Sequence, residues 1–499
     1  MFHFSKSKYT SFMQCPKMLW LKTYRPDLAT DDPAARERMA TGNVVGDLAM
    51  RLFGDFEEMS AYDKNGKLAI GKMLKNTTDA IARGVENICE AAFSYNGLYC
   101  AVDILRKEGD GYAIYEVKSS TKVSYVYIVD ISYQKYVLER CGIKVTGTYV
   151  VNVDSSYTFD GTLDVSKLFK ITDVASLVEE ESQLHPLETM LAQAEATVKM
   201  VREPEQDLFP GCQDPYPCAF WQYCSRHIPA PSVFDIYNLS FKKKLELYQR
   251  GITNLQDVKA CAKLNEIQKR QIDFAIEQRS EHVDKEGIQS FLNGLSYPLY
   301  FLDFETMMPV IPEIIGTRPY QQIPFQYSLH YVECEGGALK HKEFLAISGE
   351  DPRRACAEQL CQDIPKDACV LAFNRGFERG KIKQFATDFP DLASHLMAIH
   401  ENMQDLIDPF HDGYYYNQAI GGSFSIKSIL PAMFPNDAEL DYHALEGVHN
   451  GSEAMAIFPL IKDMPPAEQE IARKNLLKYC ELDTYAMVKI WQKLQELCK

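Results

Sequence analysis

The spacing of hydrophobic positions predicts a chain of alternating helices and strands. Residues 8–23 and 43–52 carry apolar side chains at helical spacing. Strand-like runs follow at 98–105, 112–118 and 145–153, rich in β-branched and aromatic residues. The tetrapeptide EGDG at 108–111 is a tight-turn signal, so the first two runs are expected to form a hairpin. Residues 133–140 read as a helix stopped by Gly142. The stretch 241–280 is rich in Lys, Leu and Glu and predicts helices around a turn at Arg250-Gly251. A second strand set opens with the apolar run YPLYFLDFE at 297–305 and continues at 326–332, 341–347 and 369–373. Helical patterns occupy 355–362, 378–385 and 468–497. This mixture predicts an α/β protein.

Punctuation divides the chain. SRHIPAPSV breaks the pattern around 225–235, and DKEGIQSFLNGLSY breaks it near 284–297. The expected domains are therefore 1–230 and 296–499, joined by a helical linker at 231–295. With 499 residues, 46% hydrophobic and 24% charged, the composition excludes a disordered, collagen-like or coiled-coil protein. Lys and Arg number 53 against 69 Asp and Glu, a net charge of −16. That excludes a protein coating DNA by bulk positive charge, but not one whose catalytic groups are acids. The N-terminus lacks a signal-peptide pattern and the apolar runs are too short to span a bilayer, so a cytoplasmic location is expected. The 14 cysteines are too dilute for a disulfide scaffold, and a cluster of them reads first as a metal site.

The first candidate site comprises Asp103 in AVDIL and Glu116 and Lys118 in IYEVKSS. Alternate strand residues share a face, so Glu116 and Lys118 project together, and a hairpin sets Asp103 beside them. Two carboxylates can hold Mg²⁺, and a lysine can polarise water or stabilise phosphate charge. A surface salt bridge is the plainer reading of so short a pattern. Gln134 falls on the following helix. Cys15 in QCPKMLWL and Cys212, Cys218 and Cys224 in GCQDPYPCAFWQYC bracket the block. Zinc suits four thiolates as well as an iron–sulfur cluster does. The segment GKLAIGKM at 66–73 comes close to a phosphate-binding loop, but Met73 replaces the required hydroxyl, so no nucleotide site is expected there.

The one-plus-three cysteine layout with Asp103, Glu116, Lys118 and Gln134 resembles the iron–sulfur PD-(D/E)XK nucleases, the RecB-like CRISPR-associated and AddB-type enzymes. The resemblance covers roughly residues 1–228. It implies a restriction-endonuclease-like fold, catalysis by those four residues, and a [4Fe–4S] cluster on Cys15, Cys212, Cys218 and Cys224. Zinc is the rival occupant. Two departures are visible: Cys212 lies six residues before Cys218, and the helix TGNVVGDLAM lacks the usual histidine or acid.

The second candidate site begins with Asp303 and Glu305 in FLDFET, at the end of an apolar strand. LAFNRGFERG supplies Asn374 and Glu378, and YCELDTYA places Tyr479 four residues before Asp483, on one helical face. Four converging acids demand divalent cations, as in two-metal phosphodiester cleavage, with Tyr479 orienting or deprotonating water. Asp405 either assists or caps a helix, and Lys427 in SFSIKSILP either faces substrate or is ordinary surface. The ordered set resembles the tyrosine-type DEDD branch of the DnaQ-like exonucleases, over roughly residues 296–499. It implies an RNase H-like fold and 3′→5′ exonuclease activity. Glu378 stands where that family usually has Asp.

The whole chain is similar to a bacterial family fusing these two nuclease types. The expected function is hydrolysis of nucleic-acid phosphodiester bonds with Mg²⁺ or Mn²⁺. DNA is favoured over RNA, and use in repair, recombination or defence is expected; the sequence leaves open whether a helicase or a repair or defence protein is a partner. Two alternatives stand beside it: an RNA 3′-exonuclease whose N-terminal block only binds, and a nucleic-acid-binding scaffold with decayed sites.

Overall fold

The structure is a computed structural model that describes residues 4–499, side chains at 33 and 34 excepted. It is mixed α/β and divides into two compact units. One comprises the described residues through Ile228 together with Val310–Tyr320; the other comprises Pro229–Pro309 and Gln321–Lys499. No helix among the described residues is long and apolar enough to cross a membrane.

The first unit is built on a seven-stranded mixed sheet among the described residues. Strands Asn87–Tyr95, Leu98–Glu108 and Gly111–Lys118 run antiparallel in sequence. Val145–Val153 then pairs parallel to Gly111–Lys118, with helix Tyr125–Arg140 as the crossover. The hairpin turns at Gly109, whose φ of +60° suits glycine, and Glu108 pairs with Gly111. Gly111 has no room for a side chain, since an added Cβ would lie 2.3 Å from the carbonyl oxygen of Lys144. One sheet face packs on the crossover helix through Val102, Ile114, Ile131, Val137 and Val150, all fully buried. The expected helix over 8–23 is two helices, Lys6–Gln14 and Pro16–Tyr24. Cys15 is extended between them, and Pro16, which lacks an N–H, opens the second. Residues 70–83 form a helix that buries Met73, so the phosphate-loop look-alike is core-facing structure. Val310–Tyr320 joins this unit through backbone bonds between Phe159 and Gly316 and between Phe159 and Thr317.

The second unit carries a five-stranded sheet in the order Lys340–Leu345, Ile323–Val332, Leu299–Met307, Cys369–Ala372 and Met403–Asp405. The first three strands are antiparallel and the last two join parallel. The 33-residue helix Pro466–Cys498 covers one face and buries Leu476, Cys480, Val488, Ile490 and Leu494. Helices Arg353–Asp363 and Gly376–Asp388 cover the other, around Leu302, Leu329, Val370 and Phe385. The helices at 241–249, 255–261 and 266–277 belong to this unit. Tyr237 and Phe274 pack edge-on against Phe424 and Tyr416 respectively.

Candidate functional site

In the first unit the hairpin and the crossover helix bring all four expected residues together. Glu116 is fully buried near the end of its strand, and Gln134 Nε2 donates to its Oε2 at 2.6 Å. Lys118 Nζ lies 2.5 Å from Glu116 Oε1. Asp103, on the neighbouring strand, accepts the backbone N–H of Val117 at 2.7 Å. Two further residues complete the group. Asp130 lies one helical turn before Gln134 and sits 3.3 Å from Lys118 Nζ. Lys6, from the first helix, reaches Glu116 Oε1 at 3.1 Å and Asp130 Oδ2 at 3.5 Å. Asp130 was legible as the i−4 neighbour of Gln134, whereas Lys6 carried no local signal.

Charge balance follows from that geometry. Burial disfavours an ionised Glu116, but the ammonium groups of Lys118 and Lys6 outweigh it and hold the carboxyl well below its usual range. Burial and then the Glu116 charge push Asp103 up to about 6. Burial and the same neighbour also raise Asp130. Two ammonium groups thus face three carboxyls. A groove lined in part by Arg38, Lys118, Tyr127, Tyr216, Trp221 and Tyr320 opens beside them.

The four cysteines line one cavity. Cys15 sits at the helix break, Cys212 ends a short turn, and Cys224 ends the helix Trp221–Cys224. Gln14 Nε2 ties the loop down by donating to the carbonyls of Gly211 at 2.8 Å and Tyr216 at 3.0 Å. Met18, Leu21 and Phe220 pack around the thiols. Burial pushes the Cys15 thiol up to about 11, with Cys218 and Cys212 adding to the rise. No three of these sulfurs lie within 4.8 Å of one another.

The second unit also assembles its expected residues. Asp303, Glu305 and Asp483 each offer a carboxylate oxygen within 4.8 Å of the others. At an effective dielectric of about 20, an ionised pair that close repels by roughly 3.5 kcal/mol. Burial and then the charges of Asp483, Glu305 and Glu378 raise Asp303 well above the usual range. Glu305 and Glu378 are each pushed up to about 8, chiefly by burial. Burial raises Asp483 to about 6. The Oε2 atom of Glu378 is buried with no hydrogen-bond partner among the described residues. Such an acid set, short of compensating cations, fits one or more divalent metal ions with oxygen ligands.

Neighbouring groups position these acids. Tyr479 is buried on the long helix one turn before Asp483. Lys427 Nζ stands 3.5 Å from the Tyr479 hydroxyl and lowers the proton affinity of Glu305 and Asp483, so it belongs to the site. Tyr442 donates to Asp483 Oδ1 at 2.6 Å, a contact no sequence pattern indicated. Asp405 takes the backbone N–H groups of Asn374 and Arg375 at 2.8 and 2.9 Å. It therefore fixes the turn into the helix Gly376–Asp388 that carries Glu378. Asn374 itself holds the left-handed conformation, φ +70°, at that turn.

Comparison with known proteins adds a partial match. Residues 300–425 match a domain of unknown function, DUF2779, which includes Asp303, Glu305, Glu378 and Asp405 and ends before Lys427, Tyr479 and Asp483. The chain is also similar to the uncharacterized protein MG366 of Mycoplasma genitalium, 26% identical over 227 residues, which is 42% of this chain. The match spans about a third, 33%, of that relative's length.

Proposed function

We propose that this protein is a metal-dependent nuclease that hydrolyses nucleic-acid phosphodiester bonds, with a 3′→5′ exonuclease site in the second unit. The observation that carries this reading is the convergence of Asp303, Glu305 and Asp483 within 4.8 Å, beside a Glu378 oxygen lacking a partner among the described residues. Asp303, Glu305, Glu378 and Asp483 would hold Mg²⁺ or Mn²⁺. Such ions would activate a water and stabilise the 3′ oxygen that leaves phosphorus and stays on the shortened strand. Tyr479 orients the attacking water through its hydroxyl. Lys427 offsets negative charge next to Tyr479 and would meet a substrate phosphate. The strand order, three antiparallel strands extended by two parallel ones, supports an RNase H-like fold for this unit.

The first unit is read as a PD-(D/E)XK nuclease domain with a [4Fe–4S] cluster on Cys15, Cys212, Cys218 and Cys224. Its supports are the Asp103, Glu116, Lys118 and Gln134 cluster and the cysteine spacing. The groove beside Lys118 offers rings for stacking bases, one feature of single-strand binding. One observation favours a second reading, in which this unit binds nucleic acid without cutting it. Lys6 and Lys118 already compensate the Glu116 carboxylate, which lowers the demand for a metal there.

The test is a digestion panel on full-length protein. The substrates are end-labelled single- and double-stranded DNA and RNA, with Mg²⁺, Mn²⁺ or EDTA. The proposal expects metal-dependent cleavage, with DNA preferred, and mononucleotides released from 3′ ends. Intact substrates under every metal condition would refute it.

A further inference from the structure

A second cluster of metal-ligating side chains lies on the same sheet and helix, apart from the carboxylates. His330 and His341 are directly opposite each other on neighbouring antiparallel strands, with ring centroids 4.5 Å apart. A ring nitrogen of each, together with a carboxylate oxygen of Glu481 on the long C-terminal helix, lies within 4.8 Å of the others. His330 is buried, His341 is half-buried and Glu481 is exposed, so the group runs from the core outward to solvent.

The hydroxyls behind the rings fix where the protons sit. Thr484 Oγ1 meets three partners: the Glu481 carbonyl at 3.1 Å, His330 Nδ1 at 2.8 Å and Ser328 Oγ at 2.6 Å. Ser328 Oγ also meets His341 Nε2 at 2.9 Å. A carbonyl only accepts, so the single Thr484 proton goes to Glu481. His330 Nδ1 and Ser328 must then both donate to Thr484. Ser328 has spent its proton, so His341 Nε2 must donate to Ser328. With both rings neutral, one arrangement satisfies all four bonds, and it leaves bare lone pairs on His330 Nε2 and His341 Nδ1. Metal-binding imidazoles are prepared in this way, with one nitrogen donating to a fixed acceptor and the other free to ligate.

We propose that His330, His341 and Glu481 form a site for a nitrogen-preferring divalent transition ion, Zn²⁺ first among them. Two imidazoles and one carboxylate are a three-ligand zinc set that leaves a fourth position for water or another ligand. Imidazole is a poor ligand for Mg²⁺, so this site and the all-oxygen site select different metals. The ion ties the edge strand Lys340–Leu345 to the helix Pro466–Cys498. Ser328, which orients His341, is the register partner of Asp303, and Thr484 follows Asp483 in sequence. The inference does not depend on nuclease activity.

The test compares the full-length protein with His341→Ala and Glu481→Gln, with the four cysteines intact in all three. Zinc content after dialysis against Zn²⁺ should be one equivalent higher in wild type than in either variant. Thiolate-bound metal cancels in that difference. Titration with Co²⁺ should give wild type visible ligand-field bands that are absent from His341→Ala. If His341→Ala does not fold, Glu481→Gln decides, because its side chain is exposed. Equal zinc equivalents and equal Co²⁺ spectra in wild type and Glu481→Gln would overturn the assignment.

Discussion

Lys6 Nζ sits 3.1 Å from Glu116 Oε1, across 110 residues of sequence, and places a second ammonium in the first unit's acidic cluster. Removing one partner of a buried ion pair typically costs about 3–5 kcal/mol. Lys118 remains beside Glu116, so Lys6→Ala should cost less, about 1–3 kcal/mol. Mg²⁺ should restore part of that loss, since a cation can then replace the missing charge. Urea denaturation midpoints with and without Mg²⁺ check both statements.

Raised carboxyl proton affinities in the second unit give a signed pH dependence. Glu305 and Glu378 are held near 8 and Asp483 near 6 when folded, whereas unfolded acids titrate near about 4. The metal-free native state therefore binds more protons than the unfolded chain between those values. Its stability should be greatest at low pH in that window and fall as pH rises from about 4 toward 8. A divalent cation competes with the protons, so the rise in Tm on adding Mn²⁺ should be larger at pH 8 than at pH 5.5. Thermal melts in EDTA and in Mn²⁺ across that range measure it.

Tyr442 fixes one oxygen of Asp483 by a 2.6 Å hydrogen bond. Partners of this kind hold a ligand in its binding orientation, and losing one typically weakens metal affinity by about 10–100-fold. Tyr442→Phe should keep the fold and require at least about tenfold more Mn²⁺ for half-maximal activity. Glu378→Asp should remain active with a changed Mg²⁺/Mn²⁺ preference, because a shorter side chain moves one ligand oxygen. Metal titrations of initial rate resolve both effects.

The cysteine cavity predicts a coloured protein. Anaerobically purified chain should be brown and contain iron, and Cys224→Ser should lose colour and solubility together, since ligation links residue 15 to residues 212–224. Iron analysis with absorption spectra checks this. Zinc in place of iron that is lost in Cys224→Ser would reject the cluster and keep the metal staple.

Much of the second unit was legible because its strands are short apolar runs with clear ends. The expected strand at 369–373 is Cys369–Ala372, and the helix expected over 468–497 is Pro466–Cys498. In the first unit the expected strand 145–153 matches Val145–Val153. The crossover helix begins at Tyr125 rather than 133, because Tyr, Val and Ile at 125–131 favour strands in isolation and are held helical by packing against the sheet. Strand Asn87–Tyr95 went unforeseen because its alternation is blurred by Cys89, Glu90 and Ser94. Val310–Tyr320 belongs to the first unit through pairing with Phe159, a long-range contact without a local pattern. The acids announced themselves by spacing. Lys6 and Tyr442 did not, since each meets its carboxylate through tertiary structure.

The most direct measurement is the rate at which 5′-labelled single-stranded DNA is shortened by Asp303→Ala, measured in a Lys118→Ala background that disables the first unit. Asp303 is half-buried beside Glu305, Glu378 and Asp483, and losing it should remove several kcal/mol of transition-state stabilisation, about 10³-fold or more in rate. The account predicts that Lys118→Ala alone still yields a ladder of 3′-shortened, 5′-labelled products. Adding Asp303→Ala should abolish the ladder while thermal melting stays cooperative. Unchanged 3′ shortening in the double variant would contradict the assignment of these acids as a catalytic centre.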